Sequence, residues 1–367
     1  MKKQVYALPK KALIWAFLTL VSTSLSAESY VPSSKDTVIA KWTVVAKSES
    51  PKERVALLLN KANQPGLASR YYGQASALTN KLLQTSPNDP QLLFYQAKIA
   101  QHYHRFDEAL SKLEGVPSSH ENYASALLLK ANILLVQGKL AAAKRSCLQL
   151  LGVSDLWISS ACALEVNAQQ GDSSHVVDSY AQLLTLVERS SLYQHTNEQQ
   201  QRWVAQILAE LAAKQGLYNQ ALSHLSAFEL TDVPVSYLAL WADVQLALDS
   251  PERVLNVLGP IVEQADSFDD ALLLRLALSE HQTAEQTARW TPRLTQRINI
   301  RLQRKDTAHA ADIARYFLDI KPDRKKALFW AKVNWQHAKL DGDQRLLERA
   351  MDVQYAAEET IKQPAGM

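Results

Sequence analysis

Residues 123–147 read YASALLLKANILLVQGKLAAAKRSC. Apolar side chains recur every three to four positions around Ala131. A tight turn follows at Gly138 and Lys139, and Leu140 then leads to a second small residue, Ala143, three positions on. An apolar stripe at helical period, a glycine stop and a second stripe predict a helix, a turn and a helix. The same phrase recurs on both sides. Towards the N-terminus, the segment from Leu92 to Leu113 repeats it with Ala97, His104-Arg105-Phe106 and Ala109. Towards the C-terminus come Leu164, Gly171-Asp172 and a weaker Val176, then Ala209, Gly216-Leu217-Tyr218 and Ala221, then Ala242, Asp249-Ser250-Pro251 and Val254. Ala331 with Ala338-Lys339-Leu340 repeats it near the end. The turn residues His104, Gly138, Gly171, Gly216 and Asp249 are spaced 34, 33, 45 and 33 apart.

Composition agrees with helices. The chain has 367 residues, 47% hydrophobic and 21% charged, the make-up of a chain that packs a core. Alanine and leucine are abundant, and β-branched runs are scarce. Of the 10 glycines, no two lie closer than Gly66 and Gly73, so neither a dinucleotide G-x-G loop nor a G-x-x-x-x-G-K phosphate loop can be written. Nucleotide enzymes of those two classes are excluded. Nucleophile elbows, H-E-x-x-H and paired C-x-x-C motifs are absent as well.

The period and the residue types resemble the tetratricopeptide repeat (TPR), a helix-turn-helix unit of about 34 residues. A first copy shows as Arg70, Tyr72, Ala75 and the closing Pro87, and a late one as Ala310 to Pro322. The resemblance covers most of residues 52–360 and departs from the family where leucine or alanine replaces the large aromatic of the first helix. It implies an all-α fold, a right-handed α-solenoid of TPR-like repeats, and a protein that works by interaction. Each helix pair has one apolar face that it cannot bury alone, and stacking the pairs buries it continuously. Two places break the period. The polar stretch between Val187 and Gln201 predicts a long loop, or an extended helix followed by a loop. Thr283 to Pro292 predicts a hinge, because the residue before proline avoids the α region. The expected organisation is therefore an array over 51–282, an irregular hinge over 283–292 and further repeats over 293–367.

The N-terminus has a different character. Lys2, Lys3, Lys10 and Lys11 precede the apolar run from Ala12 to Val21, and small residues close the segment at Ala27. That is the pattern of a secretory signal peptide, too short to span a bilayer. Cleavage after Ala27 gives an exported, periplasmic chain with an extended arm over 28–50. Loss of the four lysines takes the formal charge from +3 to −1, so general nucleic-acid binding has no electrostatic support. In an oxidising compartment Cys147 and Cys162, fifteen residues apart, are expected to form a disulfide.

No cluster reads as catalytic, and no cofactor or metal is expected. His102 and His104 stand at i and i+2 and diverge on a helix. The inner lining of a solenoid is where a partner would bind. Residues directly after the small-residue column are expected there: Lys98, Asn132, Glu165, Glu210 and Asp243, with Phe94 and Trp203 as apolar anchors. Three consecutive acids suggest a groove that attracts a basic segment of a partner protein. Charge also segregates along the chain, with net −9 over residues 229–285 and net +7 over 289–326. Within the second block Arg293, Arg297, Arg301 and Lys305 form one helical stripe. Such a stripe meets either an anionic partner, such as an acidic protein or lipid headgroups at a membrane, or the acidic neighbouring repeats, which is the preferred reading. The expectation is thus a non-catalytic scaffold or adaptor that binds an envelope protein. The alternative is an accessory module of polysaccharide or peptidoglycan processing, for which Trp203, Trp241, Trp330 and Trp335 would have to line a groove.

Overall fold

The structure, a computed structural model, describes residues 50–171, 173–283 and 288–362. The leader expected over 1–27 and all but Ser50 of the arm expected over 28–50 lie outside the described residues, as do 284–287 of the expected hinge. The first four hairpins are α1 (Pro51–Lys61) with α2 (Ala68–Thr85), α3 (Pro90–His102) with α4 (Phe106–Leu113), α5 (Tyr123–Val136) with α6 (Leu140–Leu148), and α7 (Leu156–Asn167) with α8 (Ser173–Arg189). After the short α9 (Ser191–Gln194) come α10 (Glu198–Lys214) with α11 (Tyr218–Leu225), α12 (Val235–Ala247) with α13 (Pro251–Gln264), and α14 (Asp270–Thr283) with α15 (Trp290–Arg304). Then follow α16 (Ala310–Arg315), continued by a π turn over Tyr316–Ile320, α17 (Arg324–His337) and α18 (Asp341–Lys362). No β-strand occurs among the described residues.

Local chemistry starts the helices. Ser50 and Glu53 form a reciprocal capping box on α1, with Pro51 at its first position. Asp89 and Asn197 cap α3 and α10 through their side-chain oxygens. The turns are equally regular. His104, Gly138, Gly171, Gly216 and Asp249 have φ values of 57°, 72°, 84°, 73° and 54°. In four of these turns the next amide reaches back five residues: Arg105 N–H to the Ala100 carbonyl, Lys139 to Leu134, Leu217 to Ala212 and Ser250 to Gln245, all at 2.8–3.0 Å. That bond closes a helix only when the intervening residue is left-handed.

The hairpins cross at the small residues. Ala97, Ala109, Ala131, Ala143, Ala209, Ala221 and Ala242 are all buried. In the fourth hairpin Leu164 and Val176 stand at the crossing and are only partly buried. There a groove of about 600 Å³ opens between α7 and α8, beside Leu164. Three hydrophobic clusters run along the chain and meet at α5 and α10, as stacking of otherwise incomplete units requires.

The irregular places have specific causes. Between Val187 and Gln201 the chain extends α8 to Arg189 and then forms α9, whose Tyr193 ring packs edge-on against Trp157 at 5.4 Å. At the far end of the expected hinge, α15 already runs from Trp290, so Pro292 lies in its first turn, where a missing N–H costs nothing. Glu280 of α14 holds that end, accepting from the N–H groups of Arg289, Trp290 and Thr291 at 2.5–2.9 Å.

The array curls until distant hairpins touch. On one rim the Gly66 N–H donates to Asp269 Oδ2 at 2.6 Å, Ser267 Oγ donates to the Gly66 carbonyl at 2.6 Å, and Arg70 pairs with Asp266. On the other rim the Lys339 N–H donates to the Val136 carbonyl at 2.7 Å, and the Asp341 N–H donates to Gln169 Oε1 at 3.1 Å. To make that reach, Ala338 is extended (φ −123°, ψ 128°), unlike the other turns of the series.

Candidate functional site

Three cavities line the inside of the curl and share walls. The first, of about 470 Å³, is lined by Phe94, Lys98, Asn132, Glu165 and Trp203, among others. The second, of about 560 Å³, shares Asn60, Gln199 and Trp203 with the first and adds Arg202 and Gln206. The third, of about 710 Å³, shares Gln206 with the second and holds Glu210, Lys214, Asp243, Arg275 and Arg315. All seven residues expected on the inner lining therefore stand on one connected cleft. α3, α5, α10 and α12 each place a residue one position past a buried alanine, and α7 places Glu165 one past the half-buried Leu164, so a regular repeat converts a column in sequence into a wall in space.

The electrostatics differ from the acidic groove expected of Glu165, Glu210 and Asp243. Burial pushes the Glu165 carboxyl up to about 8, helped by Glu210 and opposed by Lys214. Burial likewise raises Glu210, whose Oε1 accepts from Gln206 Nε2 at 3.0 Å. Asp243 is neutralised in place: both its oxygens accept from Arg275, at 2.9 and 2.7 Å, in the bidentate geometry that favours arginine. Arg275 is 6% exposed and also pairs with Asp312 at 3.7 Å. Lys98 is held below its ordinary range by burial and lies 5.9 Å from the centre of the Phe94 ring. The acids are present in the cleft, but burial and Arg275 remove most of the negative charge they would carry.

Lys214, Arg275 and Arg315 were not among the residues expected at the site. Only Arg275 carries a usable signal, as one of two arginines in a segment with eleven acids. The third cavity is also lined by Leu340, Gly342, Asp343 and Arg345, so the α17–α18 turn is part of the wall.

The other expectations fall elsewhere. Cys147 and Cys162 are joined in a disulfide with Cα atoms 5.5 Å apart, linking the end of α6 to α7. The basic stripe meets the chain's own carboxylates: Arg297 and Arg301 both bind the buried Asp270, and Arg301 also binds Asp306. Arg293 lies over the Phe268 and Trp290 rings and 3.9 Å from Glu263. Lys305 is exposed, in a left-handed cap of α15. Of the four tryptophans that a glycan groove would need, Trp241 and Trp330 are buried and Trp335 lies under Lys339, leaving Trp203 alone on the cleft.

No protein-family model and no curated protein sequence matches the chain. Among solved structures it is similar to a tetratricopeptide repeat protein from Parabacteroides merdae ATCC 43184, at 13% identity over 71% of this chain and 98% of that one, with a TM-score of 0.41. It is also similar to the TPR domain of P58(IPK), at 14% identity over 86% of this chain and 100% of that one, with a TM-score of 0.27. The chain is an all-α solenoid of TPR-like hairpins. The shared left-handed turn and the buried alanine crossings establish this within the chain itself. In this TPR-like array the cleft draws on every hairpin from α1–α2 to α14–α15 and on the α17–α18 turn, so a long ligand would touch several of them at once.

Proposed function

We propose that this protein is a non-catalytic scaffold, exported to the periplasm, that holds a segment of an envelope protein in the interior cleft. The observation that carries the reading is the continuity of the three cavities, joined at Trp203 and Gln206. A connected cleft that is mostly apolar at one end, rich in carboxamides in the middle and ionic at the other suits an extended or helical segment better than a small molecule. Phe94 and Trp203 supply the apolar anchors, while Lys98 and Asn132 supply polar contacts beside them.

A photo-crosslinking residue introduced at Asn132 in living cells tests the surface, with one at the outward Val177, 49% exposed, as control. Adducts to a discrete protein are expected from position 132 and not from 177. Equal labelling at both, or none at 132, removes the cleft from consideration. Export has its own check: the mature chain recovered from the periplasmic fraction should begin at Glu28. An intact N-terminus in a cytoplasmic fraction would overturn it.

A further inference from the structure

The third cavity carries a sign of charge that composition does not suggest. Its carboxylates are already engaged or neutralised: Asp243 by Arg275, and Asp343 by Asn334 Nδ2 at 2.7 Å and the Leu340 N–H at 3.0 Å. Glu210 is held towards its neutral form by burial. Two of its four cations, Lys214 and Arg315, are not matched in the same way. The Lys214 ammonium, which burial holds below its ordinary range against the pull of Asp341 and Glu210, has no hydrogen-bond partner and meets a carboxylate, that of Asp341, only at 3.9 Å. Arg315 is half-buried, and no carboxylate of the described residues lies within ion-pair distance of it. Arg345 pairs with Asp341 at 2.7 Å.

The chain also shows what this place accepts. Leu340 packs against the hydrophobic cluster of α5–α10, the Asp341 N–H binds Gln169, and the Asp341 carboxylate lies between Lys214 and Arg345. An apolar residue followed by an acid is therefore the resident occupant, and its contact with Lys214 is too long to be a hydrogen bond. We propose that this end of the cleft binds an acidic segment of the partner protein, in competition with the chain's own Leu340–Asp343 turn. The proposal rests on reading the cleft as the binding surface and adds the partner's charge and the competitor. A basic segment would bring like charge to Lys214 and Arg315 in a partly desolvated place, where repulsion is poorly screened.

The test is fluorescence anisotropy on the full mature chain with three labelled probes: the peptide AKLDGDQ, its counterpart with both Asp changed to Asn, and octalysine. The acidic peptide should bind, and the Asn peptide and octalysine should not. Asp341→Asn, which weakens the resident competitor, should tighten binding several-fold. Arg315→Glu and Lys214→Met should each weaken it about tenfold, the loss of one charge-assisted contact. Arg315→Gln serves if circular dichroism shows either variant misfolded. Equal binding of the Asn peptide, preference for octalysine, binding of no probe, or indifference to both cation changes overturns the proposal. If octalysine binds and Trp203→Ala weakens it, the cleft stands and only the charge is wrong. If no probe binds and Asn132 crosslinks nothing, the cleft itself fails.

Discussion

His104 and Asp249 hold left-handed backbone at positions where the other three turns have glycine. A side chain there strains against the following carbonyl, and the native closure requires that conformation. Asp249→Gly should therefore stabilise the fold by about 0.5–1 kcal/mol, the relief of roughly 1–2 kcal/mol of left-handed strain less the entropy glycine loses, read as a higher denaturant midpoint. Gly138→Ala should do the reverse by roughly 1–2 kcal/mol, because its new Cβ would also come within 2.8 Å of the Lys339 Cβ. These turn positions are legible in sequence because the constraint is local. The state of Glu165 is not, since its burial comes from helices far along the chain. The folded chain keeps the Glu165 proton up to about pH 8, while the unfolded chain releases it near 4.5. Folding takes up a proton between those values, so this group's contribution to stability falls as pH rises through the window. Glu165→Gln should flatten that slope and be more stable than the wild type at pH 8, with no gain at pH 4.5, as urea unfolding at the two pH values would show. His102 works in the opposite sense. Burial against Tyr72, with His104 and His309 nearby, pushes it down to about 4, so its contribution is lost as pH falls from 6.5 towards that value.

Among the elements, α15 depends most on a single side chain. Its first turn is capped by Glu280, which accepts from three backbone amides and from Thr291 Oγ1 at 2.9 Å, and is itself 4% exposed. Glu280→Ala would strand those donors, the buried Trp290 N–H among them, and should cost about 2–4 kcal/mol, visible as a lower midpoint and faster amide exchange at Trp290 and Thr291. Sequence expects a break in this region and attributes it to Pro292, whereas the carboxylate that holds the start of α15 arrives from another helix. The disulfide closes the loop that leaves Leu148, Leu151, Val153 and Leu156 exposed. Reducing it should remove roughly 3 kcal/mol in the chain-entropy account and raise proteolysis within 148–156, detectable by limited digestion with and without reductant. The stripe of Arg293, Arg297 and Arg301 shows the reach of periodicity: spacing identifies the face, but Asp270, its buried partner, belongs to the preceding helix.

At the scale of the whole molecule, the helix count, the turn register and the inner wall follow from a repeating local pattern, whereas closure of the curl does not. Gly66 meets the Asp269 carboxylate through its own backbone N–H, and Val136 meets Lys339 backbone to backbone, and those main-chain groups carry no sequence signature. Side chains at Gly66 are excluded twice over, by φ of 72° and by Ser267, whose carbonyl oxygen a Cβ would approach to 2.4 Å. Gly66→Ala should spring that rim open. Small-angle scattering should report a larger radius of gyration with unchanged helical content. An unchanged radius would mean that stacking of the hairpins alone sets the curvature.

Fastening at both rims also constrains the gene. Open arrays gain and lose units by duplication, because each new copy merely lengthens the file. Here Asp269 and Lys339 each lie 203 positions after their partners, so one copy inserted or deleted between residues 136 and 269 would throw both fastenings out of phase, and one elsewhere within either span would break one of them. The number of hairpins between those points is thus a fixed quantity, and change should accumulate by substitution on the walls and not by growth or trimming of the series.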